Sequence, residues 1–470
     1  MLALRPYQNK IVAGVRSAYQ VGHRAPLAVA PTGAGKTVIF SYIAQTTAAR
    51  SKRVLILVHR VELLRQTAEK LREFGVDHGL INPMFTPDYR KAVQVASVQT
   101  LVNRMGKLPA PDLIVIDEAH HATAGTWRKI ISHFPQARVL GVTATPCRAD
   151  GTGLGREAGG IFDELVLGPS VADLIAGGFL VNPIIYAPSQ QLDFSDVRVK
   201  RGDYDKGEIE ARVDKPTITG DVIGHYQRLC PGTPAVAFCI SINHALHVAE
   251  EFRRAGYRAY AVDGGMEDDT RKRILSGLGN GSVDVVCSCD LISEGTDIPA
   301  IGCAILLRPT KSLGLYIQQV GRALRPVPGK QHAIILDHVG NVITHGMPQE
   351  DRDWTLDGEE KRKRGKKYQE KSISVKQCDK CYAMHAPAPV CPVCGHTYEV
   401  DSKQIEQVDG ELRQITEIDA LRLKRQKIKE EAQAKTLEEL EALASARGYK
   451  PGWAKYKFAA RQRKQNEQAQ

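Results

Sequence analysis

The chain has 470 residues, 43% apolar and 25% charged, with a net charge of +11. That is the composition of a soluble protein of two or three domains with ample cores. No run of about 18 apolar residues is present, which argues against a membrane-spanning helix, and residues 1–7 lack a signal-peptide core. A protein that stays in the cytoplasm is therefore expected, with no membrane partner.

In chain order, the first chemical signal is Ala30-Pro31-Thr32-Gly33-Ala34-Gly35-Lys36-Thr37, which follows the apolar run Pro26-Leu27-Ala28-Val29. A glycine turn ahead of a helix leaves backbone N–H groups pointing at phosphate oxygens. Gly33 and Gly35 permit the close approach, Lys36 would reach the β/γ-phosphates, and Thr37 would bind Mg²⁺. Ala30 breaks the general pattern, which asks for glycine there. The second signal is Asp117-Glu118-Ala119-His120, at the end of Leu113-Ile114-Val115-Ile116. Asp117 would hold the metal through water, and Glu118 would orient and deprotonate the attacking water. Together they predict two strands ending side by side around ATP and Mg²⁺.

Apolar runs at 27–30, 54–58, 93–97, 113–117 and 139–143, then at 235–240, 258–262, 283–289, 303–307 and 333–337, alternate with helical patterns. Such alternation predicts two α/β domains built on parallel sheets. Residues 147–160 contain five glycines and read as a mobile loop beside the nucleotide site. Residues 188–216 are polar with weak periodicity and read as an irregular insertion, a flexible surface loop. Arg322 and Arg325, three residues apart, share a helix face and would reach across to the γ-phosphate, with Gln318 one turn earlier.

Cys378-x2-Cys381-x9-Cys391-x2-Cys394 has the spacing of a structural Zn²⁺ site with four thiolates. His385 and His396 are the less favoured alternative ligands. The other six cysteines read as small buried residues. Positive charge gathers in the last quarter: residues 361–376 hold eight basic residues against Glu370, and residues 447–464 hold seven and no acid. Such clusters suit a polyanion, or a solvated linker and tail. Glu417–Gln433 has helical character, Thr436 and Glu439 have capping-box spacing, and residues 447–458 interleave aromatics with lysines, including Lys455 and Lys457. That last pattern suits base stacking and phosphate contact, and equally a helical mini-core.

These motifs resemble those of superfamily 2 helicases of the DEAH-box kind, in which A-x-T-G-x-G-K-T is common. Further segments follow in order: Leu4-Arg5-Pro6-Tyr7-Gln8, Val58-His59-Arg60, Ser97-Val98-Gln99-Thr100, Thr143-Ala144-Thr145-Pro146, Ser293 to Pro299, and Gln318 to Arg325. The resemblance covers roughly residues 1–345. It implies two RecA-like lobes (1–168 and 169–345), a basic linker (346–376), a zinc ribbon (377–398) and a helical basic tail (412–470). It implies that Arg5, Gln8, Thr32, Gly33, Ala34, Gly35, Lys36, Thr37, Gly295 and Asp297 bind ATP, and that Gln318, Arg322 and Arg325 complete catalysis. Thr143, Thr145 and His120 would couple nucleotide state to lobe movement, His120 as a hydrogen-bonded link rather than a base. Arg60 and Thr100 would touch nucleic acid. Leu307-Arg308-Pro309-Thr310, Ala333 to His338 and the cysteine module are most similar to the bacterial RadD group of DNA-repair helicases. The reading is a bacterial or phage-encoded, ATP-dependent DNA helicase or translocase, working in repair, recombination or replication, with single-strand-binding or other repair and replication proteins recruited by the C-terminal region. The alternatives are a duplex remodeller that separates no strands, or a nucleic-acid-binding adaptor with a switch ATPase. RNA is the less favoured substrate, because the large C-terminal modules of splicing helicases are missing. A restriction motor subunit is also less favoured, for want of a nuclease motif.

Overall fold

A computed structural model describes residues 3–122, 125–148, 150–188, 194, 197–200, 202–213, 216–289, 301–357 and 375–398. Within the last 72 residues it describes 431, 434, 436–446, 454, 457 and 458. The chain divides into a compact unit, Met1–Glu399, and a second unit, Val400–Gln470.

In the first unit, β1 (Pro26–Val29), β2 (Val54–Val58), β3 (His78–Ile81), β4 (Val93–Ser97), β5 (Leu113–Asp117), β6 (Arg138–Thr143) and β7 (Glu164–Leu167) form a parallel sheet. Its order is β3-β4-β2-β5-β6-β1-β7. Every residue of β1, β2, β4 and β5 is buried. This is why they read as unbroken apolar runs: helices cover both faces of the sheet.

The second sheet is built from β8 (Asn182–Tyr186), β11 (Ala235–Phe238), β12 (Ala259–Val262), β13 (Val285–Ser288), β14 (Cys303–Leu306) and β15 (His332–Asp337). These run parallel in the order β12-β13-β11-β14-β15-β8. Two short strands, β16 (Lys376–Gln377) and β17 (Ala383–His385), then continue it antiparallel, β17 pairing with β8. The cysteine module is thus an edge extension of the second lobe's sheet, which supplies the backing that so small a segment lacks.

Three stretches differ from their expectations. The described residues of 147–160 are folded rather than open: Leu154 is fully buried in the first lobe's core, and Cys147 forms an isolated backbone bridge with Gly153. Described residues of 188–216 include a hairpin, β9 (Val199–Lys200) with β10 (Asp203–Tyr204), and helix Lys206–Val213. Val197, Ile209 and Val213 pack with Ile240 and Val339. Asp203 accepts from the Lys311 N–H at 2.8 Å and the Thr310 hydroxyl at 2.9 Å, so the insertion is pinned to the second lobe. Finally, the start of the 346–376 linker packs. Trp354 and Leu356 lie against the first lobe's core, and the Gly155 N–H donates to the Leu356 carbonyl at 2.8 Å. The chain therefore returns from lobe two to lobe one. Residues 358–374, most of the basic run, lie outside the described residues.

In the second unit the described part is helix Leu437–Ala446. Thr436 and Glu439 form its reciprocal cap, each backbone N–H donating to the other's side chain, at 3.0 and 3.2 Å. Lys457 pairs with Glu431 at 3.0 Å. Lys455 and most of residues 447–464 lie outside the described residues.

Candidate nucleotide site

The phosphate loop joins β1 to helix Lys36–Ala48. Gly33 and Gly35 have φ of +90° and +79°, the left-handed region that a side chain rarely adopts. A Cβ at Gly35 would also lie 2.6 Å from Gln8 Nε2. Gln8 is 3% exposed. Its Nε2 donates to the Ala34 carbonyl at 3.0 Å, and its Oε1 accepts from the Arg5 N–H at 3.0 Å. Tyr7, which the sequence reading did not single out, donates its hydroxyl to the same Ala34 carbonyl at 3.0 Å. Phe179 packs edge-on to Tyr7, and the Arg5 guanidinium lies 4.9 Å from its centroid. Gln8 and Tyr7 thus brace the loop from behind.

The acids do not lie on a strand adjacent to the loop. β6 runs between β1 and β5, with Val29 paired to Thr143 and Asp117 to Val142. The expectation of neighbouring strands is corrected, and the reason is useful: the intervening strand ends in Thr143-Ala144-Thr145. His120 Nδ1 lies 3.0 Å from Thr143 Oγ1, whose proton goes to the Thr145 carbonyl at 2.9 Å. His120 is therefore the donor in that contact, which fits a link rather than a base. His59 and His121 continue the stack, with ring centroids 4.5 Å apart and His121 4.2 Å from His120. His121 carries no motif of its own in the sequence.

Lys36 Nζ lies 3.9 Å from Glu118 Oε1, so the lysine of the loop and the second acid face one another. Glu118 has φ +47°, and holding a glutamate there costs about 1–3 kcal/mol. Asp117 is 4% exposed. Burial first, and the Glu118 charge second, raise its pKa to about 7 against the pull of Lys36. A buried carboxyl beside another is the arrangement a divalent cation relieves; Thr37 and Asp117 would hold Mg²⁺, which would neutralise phosphate charge.

The second lobe closes on this site through helix Leu313–Ala323. A Cβ at Gly321 would lie 2.6 Å from Thr32 Cβ, and one at Gly314 would lie 2.9 Å from Thr145 Oγ1. One at Gly33 would lie 3.8 Å from Arg325 Cγ. Gln318 and Arg322 are buried in this helix, but it ends at Ala323, so Arg325 lies beyond it and the expected helix face shared by the two arginines is corrected. Thr32 Oγ1, Thr145 Oγ1, Gln318 Oε1 and Gln319 Oε1 are buried with no hydrogen-bond partner among the described residues. Thr32, Thr145 and Gln318, on the elements that meet at this seam, call for a polar ligand, since each such group costs about 1–3 kcal/mol when left unpaired. Gly295 and Asp297 lie outside the described residues.

Away from the nucleotide, Gln99 Oε1 accepts from Ser97 Oγ at 3.0 Å, and Gln99 Nε2 donates to the His59 carbonyl at 3.2 Å. This ties the segments of Arg60 and Thr100 together beside the ends of β2 and β4. Nearby, Arg65 pairs with Asp268 at 2.6 Å and Arg271 with Glu62 at 3.1 Å, joining helices Val61–Glu73 and Asp268–Asn280 of the two lobes. Long-range pairing of this kind has no sequence signature.

The Sγ atoms of Cys378, Cys381, Cys391 and Cys394 all lie within 4.8 Å of one another, with Cys378–Cys394 and Cys381–Cys391 at 3.7 Å. Four thiolates about 2.3 Å from one tetrahedral ion would be spaced much like this, so the donor set fits Zn²⁺. His385 is engaged elsewhere, by the Tyr398 hydroxyl at 2.6 Å and the Ala386 carbonyl at 2.7 Å. Of the other six cysteines, 230, 239, 287 and 303 are buried.

Two tandem parallel-sheet lobes meeting at a phosphate loop, paired acids and an arginine helix define a two-lobed α/β ATPase. Residues 1–148 match the family described as type III restriction enzyme, res subunit, and residues 221–327 match the helicase conserved C-terminal domain. A 51.5 kDa protein of a Lactococcus phage (isolate 7-9) is 35% identical over 389 residues, which cover 82% of this chain and 81% of that one. A Saccharomyces cerevisiae protein named as an ATP-dependent helicase, IRC3, is 31% identical over 72% of this chain; the chain spans 51% of its length. A fragment of an HsdR subunit of a type I restriction enzyme from Vibrio vulnificus YJ016 shares the fold, with TM-score 0.58 at 21% identity, covering 74% of this chain and 68% of that one. The chain belongs to the superfamily 2 helicases, as an ATP-hydrolysing enzyme that acts on nucleic acid. Among the described residues no helix is long and apolar enough to cross a membrane.

Proposed function

We propose that this chain is an ATP-driven DNA helicase or translocase, with lobes at 1–168 and 169–345, serving repair, recombination or replication. The observation that carries it is the seam itself. The phosphate loop meets the helix of Gln318 and Arg322 where Gly321 faces Thr32, and Thr32, Thr145 and Gln318 each leave a buried oxygen unpartnered among the described residues. Nucleotide bound there contacts both lobes, so binding favours closure and hydrolysis favours opening. Lys36 and Thr37 hold phosphate and metal, Glu118 takes the water's proton, and Arg322 and Arg325 stabilise transition-state charge. The His120–Thr143–Thr145 chain, ending against Gly314, carries that change to the second lobe. Arg60 and Thr100 contact the strand.

DNA is favoured over RNA by the kinship with restriction-enzyme subunits; one neighbour of the fold, the restriction-modification enzyme LlaBIII, was solved bound to DNA (TM-score 0.53, 19% identity, 71% of this chain and 27% of that one). The basic, zinc-bearing C-terminal quarter, with Lys455 and Lys457, would add affinity for DNA or recruit protein partners. The test is ATP turnover without nucleic acid and with single-stranded DNA, duplex, forks and RNA, then strand separation on whichever stimulates. Stimulation by DNA is expected. DNA-independent turnover would remove the motor, and stimulation by RNA alone would reverse the substrate.

A further inference from the structure

The two cysteine knuckles share a backbone design that one of them violates. In the second, the Gly395 N–H donates to the Cys391 carbonyl at 2.9 Å, and Gly395 has φ +71°. In the first, the Tyr382 N–H donates to the Cys378 carbonyl at 2.8 Å, and Tyr382 has φ +61°. Glycine adopts this conformation freely; a tyrosine there is strained. Nor does burial repay the cost, because Tyr382 is 58% exposed. Neither backbone ease nor burial accounts for a tyrosine at this position.

Tyr382 helps line a cavity of about 780 Å³ between the knuckle, helix Pro216–Leu229 and the ends of β8 and β15. Tyr382 shares its lining with the aromatic residues Tyr186, His225 and His338 and with two cationic residues, Arg228 and Lys380. Among the described residues that line it, Asp337 is the sole carboxylate, and it is turned to the backbone, accepting from the Val342 N–H at 2.7 Å and the Val339 N–H at 3.3 Å. His225 Nδ1 is buried and has no hydrogen-bond partner among the described residues. Flat rings, two cations and an unanswered ring nitrogen suit a planar heterocycle carrying phosphate, and the volume lies in the range of small-ligand sites.

We propose that this cavity takes one unstacked base of a single-stranded nucleic acid, stacked on Tyr382, with its flanking phosphates on Arg228 and Lys380. It rests on the reading of the chain as a nucleic-acid motor, and adds a contact outside the two-lobe cleft, on the lobe-two and zinc-module edge. A free mononucleotide has the same chemistry and is separated by the test.

The experiment uses the full zinc-loaded chain, its Tyr382→Gly and Tyr382→Phe variants and the Arg228→Ala/Lys380→Ala double variant. Affinity for a fluorescent single-stranded oligodeoxynucleotide is read by anisotropy across salt, alone and in competition with AMP. Tyr382→Gly should weaken binding about 5- to 150-fold, the worth of one stacked base, while zinc content is kept and thermal stability is equal or higher. Tyr382→Phe should bind like wild type. The double variant should flatten the salt dependence by about 1.4 in log–log slope, two phosphates lost from a single strand. Wild-type affinity in Tyr382→Gly overturns the assignment, as does loss of its zinc, which would make the ring structural. Competition by AMP that is lost in Tyr382→Gly makes the occupant a free nucleotide and overturns the strand. A wild-type chain that binds no oligonucleotide overturns the motor reading as well, so the two failures are told apart.

Discussion

Replacing Gly321 with alanine tests whether the seam between the lobes belongs to the working cycle. The added Cβ would meet Thr32 Cβ at 2.6 Å, Cγ2 at 3.0 Å and Oγ1 at 3.3 Å. Ordinary carbon contacts begin near 3.5 Å, so the loop and the helix must separate by roughly 1 Å. No rotamer relieves this, because the nearest atom is a Cβ fixed to the phosphate-loop backbone. Overpacking of this kind costs about 1–3 kcal/mol, which removes about 5- to 150-fold of the closed arrangement. Alanine within a helix is otherwise better than glycine by about 0.5–1 kcal/mol, so the lobe itself should be no less stable. The assay is steady-state ATP turnover with saturating nucleic acid, beside nucleotide affinity and thermal unfolding. Turnover should fall by that factor, nucleotide affinity by up to the same factor because binding is tied to closure, and unfolding temperature not at all. Gly35→Ala is the contrast: its φ of +79° and the clash with Gln8 should destroy nucleotide binding itself. Wild-type turnover in Gly321→Ala would refute the argument that closure brings Thr32 onto this helix.

Three further outcomes follow from the same geometry. Arg325→Ala should lower turnover by about 10³-fold or more with nucleotide binding largely intact, the signature of a group acting on transition-state charge; normal turnover would sink that role. Zinc measured by atomic emission should be near one ion per chain and be lost in Cys391→Ser/Cys394→Ser, whereas a metal-free but well-folded wild type would count against the site. Asp117→Asn should stabilise the metal-free protein above pH 7. Its carboxyl, raised to about 7 by burial and Glu118, is neutral when folded and charged when unfolded between about pH 4 and 7, so it costs stability as pH rises through that window. The variant's gain should vanish below pH 4 and shrink when Mg²⁺ is present; a pH-independent gain would contradict it.

The ten apolar runs of the sequence all became strands, with ends shifted by a few residues, because parallel strands covered on both faces must be apolar throughout. Strands β3, β7, β8 and β17 escaped notice for the converse reason. β3 alternates half-buried and buried residues, β7 is a half-buried edge, β8 carries Pro183, and β17 pairs with the edge that β8 offers.

Local pattern by itself determined the phosphate loop, the paired acids, the helix of Gln318 and Arg322 and the cysteine spacing, because each is a short run whose chemistry depends on neighbours within one turn of chain; it overran that helix's end, which leaves Arg325 outside. Tertiary structure alone decided which of them meet. It set β6 between the loop and the acids, placed Thr32 against Gly321, joined Glu62 and Arg65 to Asp268 and Arg271, and returned Leu356 to the first lobe. Those contacts span tens to hundreds of residues. They follow from how two sheets pack and twist, so no window of sequence contains them.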